Sequence, residues 1–256
     1  MITGTQQSDV LSSEQIRSFY DSEAAKDHYV RATSSVGLWR SEELVFQRVF
    51  ADKAASLLEL GCGAGRISFG LADLGYRHMI ATDFSKGMVK AALRIARCME
   101  YPVPVRCEDA TQLTFEDALF DGAIFGFNGL MQIPGEDQRA QAMSEIFRVL
   151  KPGSWFVFTT HDRDNPKFRS FWESEKLAWR RGKQNPALLE FGDRFEKTDL
   201  GDLFIHVPTA REVRALCKAA GFRVEADALR SKLANESPAV CEFSDDCRFW
   251  VVQKPA

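Results

Sequence analysis

Long apolar runs and targeting signals are absent from this sequence. No segment reaches the roughly 18 consecutive apolar residues that a membrane-spanning helix needs, so no such helix is expected. The first ten residues, MITGTQQSDV, have neither the basic stretch nor the apolar core of a secretory signal peptide. We therefore expect a cytoplasmic protein without a membrane partner.

Paired cysteine motifs are also missing. No two cysteines form a Cys-x-x-Cys pair, so neither a zinc knuckle nor a redox-active dithiol is expected. In a cytoplasmic protein these thiols should be reduced and pack as small apolar groups. Cys62 is the exception, because it lies inside a glycine-rich turn. The six cysteines are Cys62, Cys98, Cys107, Cys217, Cys241 and Cys247.

An excess of positive charge is lacking as well. The formal net charge is −3 and the isoelectric point is about 5.9. Binding of nucleic acid or of an anionic membrane needs a concentrated positive face, so this balance argues against both partners. At 256 residues, the chain can bury a full core in one large domain or in one domain with an added lobe.

Strand-like and helix-like patterns alternate through the middle of the chain. Residues 12–51 are predicted to be helical, with a break near 33–37 and Ser12 or Ser13 as the first N-cap. Helices are then predicted at 64–74, 86–99 and 136–150. Strands are predicted at 56–60, 78–83, 103–109, 120–127 and 154–161. This alternation indicates an α/β fold, a parallel sheet with helices on both faces.

The pattern changes after residue 161. Residues 162–208 are richer in charge and loops and carry seven aromatic residues. A helix at 209–221, ended by Gly221, and strands at 222–229 and 247–254 follow. We therefore predict an N-terminal helical cap at 1–52, a core made of 53–161 and 209–256, and an inserted lid lobe at 162–208.

The stretch SLLELGCGAGRISFGLADLG, residues 56–75, joins a predicted strand to a predicted helix through glycines. A dinucleotide-binding fingerprint needs a third glycine where Arg66 stands, and a phosphate-binding P-loop needs a Gly-Lys-Ser or Gly-Lys-Thr that is missing. What is present is Glu59 followed by Gly61, Gly63 and Gly65.

This turn resembles the first motif of class I S-adenosylmethionine-dependent methyltransferases. The resemblance implies a Rossmann-like fold with a mostly parallel seven-stranded sheet, and S-adenosylmethionine as cofactor with S-adenosylhomocysteine as product. Gly61 and Gly63 would let the backbone approach a bulky ligand, with Cys62 between them. Glu59 suits an indirect contact with the methionyl ammonium group.

Further landmarks of the family follow in order. Asp83 ends the second strand, where an acid can accept hydrogen bonds from both ribose hydroxyls. It could also serve as a helix N-cap, and the two roles are compatible. Phe84 and Met88 would wall the adenine ring. Asp109 and Ala110 resemble the acidic-plus-small pair that reads the adenine edge. FDGAIF, which includes Phe125, resembles the fourth strand, and RVLKPGSWFVFT the helix, turn and fifth strand.

Two motifs of nucleic-acid methyltransferases are absent, which argues against nucleic acid as the methyl acceptor. No Asn-Pro-Pro-Tyr sequence follows the fourth strand, and no cysteine follows a proline as in cytosine C5 methylation. The segment FYDSEAAKDHYVRA resembles the cap of small-molecule methyltransferases. A small-molecule acceptor methylated at N, O or S is therefore expected. Methylation of RNA or protein, and non-catalytic binding of the cofactor, remain alternatives. The oligomeric state is not indicated.

Residues outside the core are further candidates. In the resembling caps, tyrosines close over the cofactor, and Tyr20 and Tyr29 match them, although Tyr20 also suits a helix core. Arg40 could reach the cofactor carboxylate or lie in solvent. His161 is the candidate general base at the end of the fifth strand, with a satisfied structural histidine as the alternative. Gln132 occupies the slot where sugar methyltransferases place a histidine.

The last candidate site residues are the remaining histidines and the aromatic residues of the lobe. His206 and His28 are weaker candidates, and His78 is discounted because it lies at the far end of the sheet. The lobe follows the carboxyl edge of the sheet, where ligands bind. We predict that at least one of its aromatics contacts the acceptor, although core packing would explain most of them. The three favoured are Phe168, Trp172 and Phe195.

Overall fold

Alternating strands and helices build the centre of the computed structural model, which describes residues 11–256. The expectation about a signal peptide at residues 1–10 lies outside the described residues. The helices are α1 Ser13–Asp21, α2 Glu23–Ser35, α3 Arg40–Val49, α4 Arg66–Asp73, α5 Lys86–Cys98, α6 Glu136–Val149, α7 Arg169–Arg180, α8 Ala210–Ala219, α9 Arg230–Leu233 and α10 Pro238–Phe243. The strands are β1 Leu57–Glu59, β2 Met79–Asp83, β3 Val105–Cys107, β4 Phe120–Phe125, β5 Leu150–Thr160, β6 Asp193–Thr198, β7 Gly201–His206, β8 Arg223–Leu229 and β9 Arg248–Gln253.

Seven strands form one sheet in the order β3-β2-β1-β4-β5-β9-β8. The pairs from β3 to β5 are parallel, and β9 runs antiparallel to both β5 and β8. Buried hydrophobic clusters lie on both faces of the sheet, as expected when helices cover both. The predicted α/β, Rossmann-like fold with a mostly parallel seven-stranded sheet is confirmed.

Local sequence signals explain where the core elements begin and end. Strand β4 is almost wholly buried, which accounts for its continuous apolar run. Helix α5 begins where the Ser85 hydroxyl accepts a hydrogen bond from the N–H of Met88. Helix α8 ends before Gly221, whose φ of +92° is a left-handed conformation that favours glycine. Ser12 caps α1 through a reciprocal pair with Gln15.

The inserted segment forms a small unit of its own. Strands β6 and β7 make a separate antiparallel pair, and α7 precedes them. Strand β7 packs against α1 and against a 3-10 turn at Gly129–Gln132 that follows β4. The division into cap, core and lobe stays a prediction. Within residues 11–256, no helix has both the length and the apolar character needed to cross a membrane.

Candidate functional site

The glycine turn between β1 and α4 needs glycine for conformation and for space. The φ angles of Gly61, Gly63 and Gly65 are +61°, +55° and +94°, all left-handed. A Cβ atom on Gly61 would lie 2.7 Å from the ring of Phe125, too close for any side chain. The Gly65 N–H donates to the carbonyl of Cys62 at 2.8 Å and closes the turn.

A cavity of about 920 Å³, partly open to solvent, lies at the carboxyl ends of β1, β2 and β4. This is the edge where open α/β sheets bind ligands. The structure brings many of the predicted site residues together here. They are Tyr20, Tyr29, Gly61, Gly63, Asp83, Phe84, Met88, Asp109, Ala110 and Phe125.

A second cavity of about 390 Å³ adjoins the first across the glycine turn. Glu59 and Cys62, also predicted from the sequence, line this smaller space. Tyr29, Gly61 and Gly63 line both cavities, so the two form one continuous site around the turn.

Asp83 is fixed between the glycine turn and the start of α5. Its Oδ2 accepts a hydrogen bond from the Gly63 N–H and its Oδ1 accepts one from the Ser85 N–H, both at 2.8 Å. The N-cap of α5 is Ser85 and not Asp83. Burial raises the pKa of Asp83 to about 6, and the two N–H donors oppose that rise. Each carboxylate oxygen keeps a lone pair, so Asp83 can accept from two further hydroxyls.

Glu59 is a buried carboxyl at the end of β1. It accepts a hydrogen bond from the hydroxyl of Ser68 on α4. Burial raises the pKa of Glu59 to about 7, and the Ser68 hydrogen bond and the charge of Arg66 oppose that rise. A cation arriving near Glu59 would favour its ionised form.

Tyr20 and Tyr29 bring two buried hydroxyls from the cap to the main cavity. Their ring centroids lie 5.9 Å apart. Burial raises the pKa of Tyr29 to about 12 and that of Tyr20 well above its ordinary value, so both hydroxyls stay protonated. Among the described residues, the Tyr20 hydroxyl makes no well-formed hydrogen bond, although the Tyr29 hydroxyl is close enough to interact with it. A buried hydroxyl without a well-formed hydrogen bond is costly, so this group fits a site whose ligand supplies the missing acceptor.

The far end of the main cavity is shaped by Asp109 and Phe84. Asp109 Oδ1 accepts from the N–H of Thr111 at 2.9 Å and from its hydroxyl at 2.6 Å, which leaves Oδ2 for a ligand. The guanidinium of Arg17, on α1, lies 3.9 Å from the centre of the Phe84 ring. The cap therefore contacts this end of the site as well.

The structure does not bring Arg40 to the site. Arg40 is the first residue of α3, and its exposed side chain pairs with Glu43 one turn later at 2.8 Å, outside the two cavities described. A buried cation, Arg66, lines the smaller cavity at the position where a dinucleotide-binding motif needs its third glycine, and no cofactor role was predicted for it. Arg66 binds both carboxylate oxygens of Glu42. Its position directly after the glycine turn is the signal that could have identified it.

His161 follows β5 and is held on both sides. Its Nε2 lies 3.2 Å from the amide nitrogen of Asn128, and its Nδ1 lies 3.4 Å from the carbonyl oxygen of Asp246. Burial lowers the pKa of His161, so the neutral ring donates from Nδ1 and accepts at Nε2. His161 is not among the residues that line the main cavity. It contacts Asn128, which directly follows the cavity-lining Phe127 in the chain.

The loop after β4 is strained at this point. Phe127 and Asn128 have φ angles of +49° and +59°, both left-handed and neither glycine. Such strain concentrates at functional sites. The amide oxygen of the buried Asn128 has no partner among the described residues.

The lobe aromatics lie away from the described cavity wall. Trp172 lines a separate groove, Phe195 packs edge-on against Phe204, and Phe168 packs against the buried core. Strand β7 lies behind α1, whose Ile16 does line the cavity. The contact of these aromatics with an acceptor stays a prediction.

Two other histidines, His206 and His28, have packing partners. His206 is buried and its Nδ1 lies 2.8 Å from Asp193 Oδ1. Glu190 lies close to both, but it pairs with Arg139 at 2.6 Å, so these groups are engaged with the protein itself. His28 stacks on Phe243, with ring centroids 5.3 Å apart.

Comparison with known proteins agrees with this geometry. Residues 57–153 match the sequence model of a family described as "Methyltransferase domain". A demethylmenaquinone methyltransferase of Lactiplantibacillus plantarum is 33% identical over 140 residues, which cover 53% of this chain and 56% of that protein. The chain thus spans little more than half the length of that relative.

Two solved structures are similar in fold. A S-adenosylmethionine-dependent methyltransferase from Methanosarcina mazei superposes with a TM-score of 0.65 at 20% identity, covering 82% of this chain and 97% of that one. The 4+2 cyclase SpnF superposes with a TM-score of 0.68 at 21% identity, covering 97% of this chain and 98% of that one.

The fold and the glycine turn are similar to those of class I S-adenosylmethionine-dependent methyltransferases, and residues 57–153 match a methyltransferase domain. The cofactor of such enzymes is S-adenosylmethionine. The residues present fit that molecule, because the left-handed glycines clear space, Asp83 offers free lone pairs and Tyr20 offers a hydroxyl without a well-formed hydrogen bond.

Proposed function

We propose that this chain transfers the methyl group of S-adenosylmethionine to an N, O or S atom of a small organic molecule. The observation that carries the proposal is that the cap covers part of the cavity. Side chains from α1 and α2 line the same space as the glycine turn, so the site favours a small acceptor over a polymer. The relative from Lactiplantibacillus plantarum, named for demethylmenaquinone, supports a small-molecule acceptor.

The roles proposed for the chain's residues follow from their places. When bound, S-adenosylmethionine supplies an electrophilic methyl group on a sulfonium. The backbone of Gly61 and Gly63 would lie against its methionyl part, Asp83 would accept hydrogen bonds from the ribose hydroxyls, and Asp109 Oδ2 would accept one from the adenine amino group. The protein takes little part in making or breaking bonds, because the rate of an in-line methyl transfer depends mainly on how the reacting atoms are positioned.

The smaller cavity and the cap complete the proposed cofactor site. Glu59 would hold negative charge near the methionyl ammonium group, and the Tyr20 hydroxyl would donate a hydrogen bond to a ligand oxygen. The cap helices exclude water from the reacting atoms, as lids over active sites commonly do.

His161 is the proposed base for an acceptor that must lose a proton. In the resting arrangement, the Asn128 amide group donates to Nε2 and occupies its lone pair. Proton uptake at Nε2 therefore needs the Asn128 amide to rotate and present its oxygen, which has no partner otherwise. A neutral amine or a thiolate acceptor would need no base and would leave His161 structural.

The test is acceptor-dependent formation of S-adenosylhomocysteine. The protein would be incubated with S-adenosylmethionine and a panel of quinols, phenols, amines and thiols, with Gly63→Val as the inactive control. Turnover with a small molecule supports the proposal. Binding of the cofactor without turnover on any acceptor would indicate a non-catalytic binder. Methylation of added RNA or protein alone would shift the proposal to a polymer acceptor.

A further inference from the structure

The cap is tied to the cofactor site through one carboxylate oxygen. Asp21 is the last residue of α1, and its Oδ1 accepts a hydrogen bond from the Ser85 hydroxyl at 2.6 Å. The same oxygen accepts a second hydrogen bond from the N–H of Gly87 at 2.8 Å. Both donors lie at the start of α5, where the aligned peptide dipoles favour a negative charge.

This contact continues into the residues that hold the cofactor. The Ser85 N–H donates to Asp83 Oδ1, and Asp83 Oδ2 receives the Gly63 N–H, both at 2.8 Å. Hydrogen bonds therefore run without a break from the cap through α5 to the glycine turn. The junction is tight, because a Cβ atom on Gly87 would lie 2.9 Å from Asp21 Oδ1.

The cap covers the site it is tied to. Tyr20, directly before Asp21, and Tyr29 line the main cavity together with Asp83 and Gly63. Separation of the cap from the core would widen the opening through which a bound cofactor leaves. That separation breaks the two hydrogen bonds of Asp21.

We propose that Asp21 is a positioning residue that latches the cap onto α5 and thereby controls retention of the cofactor. The latch holds Ser85 and, through it, the ribose-binding acid Asp83. This inference rests on the cofactor assignment and on no assumption about the acceptor or about methyl transfer.

The experiment measures the dissociation rate of S-adenosylhomocysteine from the full chain by stopped-flow displacement with excess S-adenosylmethionine. Asp21→Ala should raise this rate about tenfold or more, because two hydrogen bonds to a charged group are lost. Asp21→Asn keeps an amide oxygen in the same place and should restore most of the retention. Asp27→Ala removes the same charge from an exposed position on α2 and should leave the rate unchanged.

Hydrogen exchange of the bound complex provides a second measurement. Asp21→Ala should speed amide exchange across residues 13–35 and leave α4 and α6 as in the unsubstituted protein. A dissociation rate in Asp21→Ala equal to that in Asp27→Ala would overturn the latch, as would faster exchange throughout the core. Failure of the unsubstituted chain to bind S-adenosylhomocysteine would overturn the cofactor assignment itself. Absence of turnover alone would count only against the proposed function.

Discussion

Glu42 and Arg66 form a buried, bidentate ion pair between the cap and the start of α4, directly after the glycine turn. Glu42 Oε2 lies 2.6 Å from Arg66 Nη1, and Glu42 Oε1 lies 2.6 Å from Nη2. Their side chains are 0% and 9% exposed. The Arg66 guanidinium also lies over the Trp39 ring. The start of α4 is thus clamped to α3, and the glycine turn that precedes Arg66 is held with it.

Glu42→Gln should therefore lower the free energy of unfolding substantially. Removing one charge leaves the Arg66 guanidinium buried and uncompensated, at a cost of about 3–5 kcal/mol. Glu43→Gln is the matched control, because Glu43 pairs with Arg40 on the exposed side of the same helix and should change stability by less than about 1 kcal/mol. Urea denaturation of both variants measures the difference. Equal losses of stability in the two variants would mean that the buried ion pair stabilises the fold no more than the exposed one does.

Asp83→Ala should weaken cofactor binding by about 1–3 kcal/mol, because the ribose hydroxyls lose a charged acceptor. Calorimetry with S-adenosylhomocysteine measures the change, and circular dichroism checks that the loss of the Gly63 and Ser85 hydrogen bonds has not unfolded the turn. An unchanged affinity would disprove the ribose assignment. NAD should show no comparable binding to either form.

Gly63→Val should abolish cofactor binding and leave a folded domain. Beyond the ring of Tyr29 at 3.8 Å, a Cβ atom at Gly63 meets little protein, so the new side chain would occupy ligand space. Gly153→Val controls for backbone strain, because Gly153 is also left-handed, with a φ of +80°, and has no neighbours within 4 Å of an added Cβ. Normal cofactor affinity in Gly63→Val would mean that the site lies elsewhere.

The central fold could be predicted because its signals are local. The apolar run of β4 and the glycine after α8 each depend on a few neighbouring residues. The two shortest helices, α9 and α10, were missed because four and six residues are too few to show a helical period. Ser237 and Pro238 were the available signal for α10, as an N-cap and first-turn proline.

The contacts that assemble the site could not be predicted in the same way. Asp21 meets Ser85 across 64 positions, and Glu42 meets Arg66 across 24. Nothing in either residue's neighbourhood identifies its partner, because the pairing depends on how the cap packs against the sheet edge. The expectation for Arg40 differed from the structure for this reason, since its helix turns that side chain towards Glu43.

Cofactor affinity should rise with pH between about 5 and 8. Burial raises the pKa of Glu59 to about 7 and that of Asp83 to about 6. Glu59 must be ionised to attract the methionyl ammonium group, and Asp83 must be ionised to accept strong hydrogen bonds from the two ribose hydroxyls. Binding should therefore release protons in this window, which calorimetry in buffers of different ionisation enthalpy measures. Glu59→Gln should abolish the part of the rise in cofactor affinity that occurs near pH 7. A cofactor affinity that does not change with pH in the unsubstituted protein would contradict both assignments.

The stability of the cofactor-free protein should change with pH in the opposite sense. Because the folded pKa of each acid exceeds its unfolded value, the folded state binds more protons between about pH 4 and 7. The free energy of unfolding contributed by Glu59 and Asp83 is then largest at low pH and declines as the pH rises through that window. Glu59→Gln should flatten the decline in urea titrations, and an unchanged slope would mean that Glu59 ionises at its ordinary pKa.

His161→Gln should separate the two roles left open for His161. If the neutral ring is the base, kcat on the true acceptor should fall by about 100-fold or more, with S-adenosylhomocysteine affinity unchanged. Because burial lowers the His161 pKa, the unsubstituted enzyme should lose activity only below the ordinary histidine value of 6.5, and the variant should lack that acidic limb. His28→Gln is the control, since His28 of the cap is also half-buried with a lowered pKa but stacks on Phe243 of α10. Full activity in His161→Gln would leave Asn128 and His161 as a structural pair and would point to an acceptor that arrives already deprotonated.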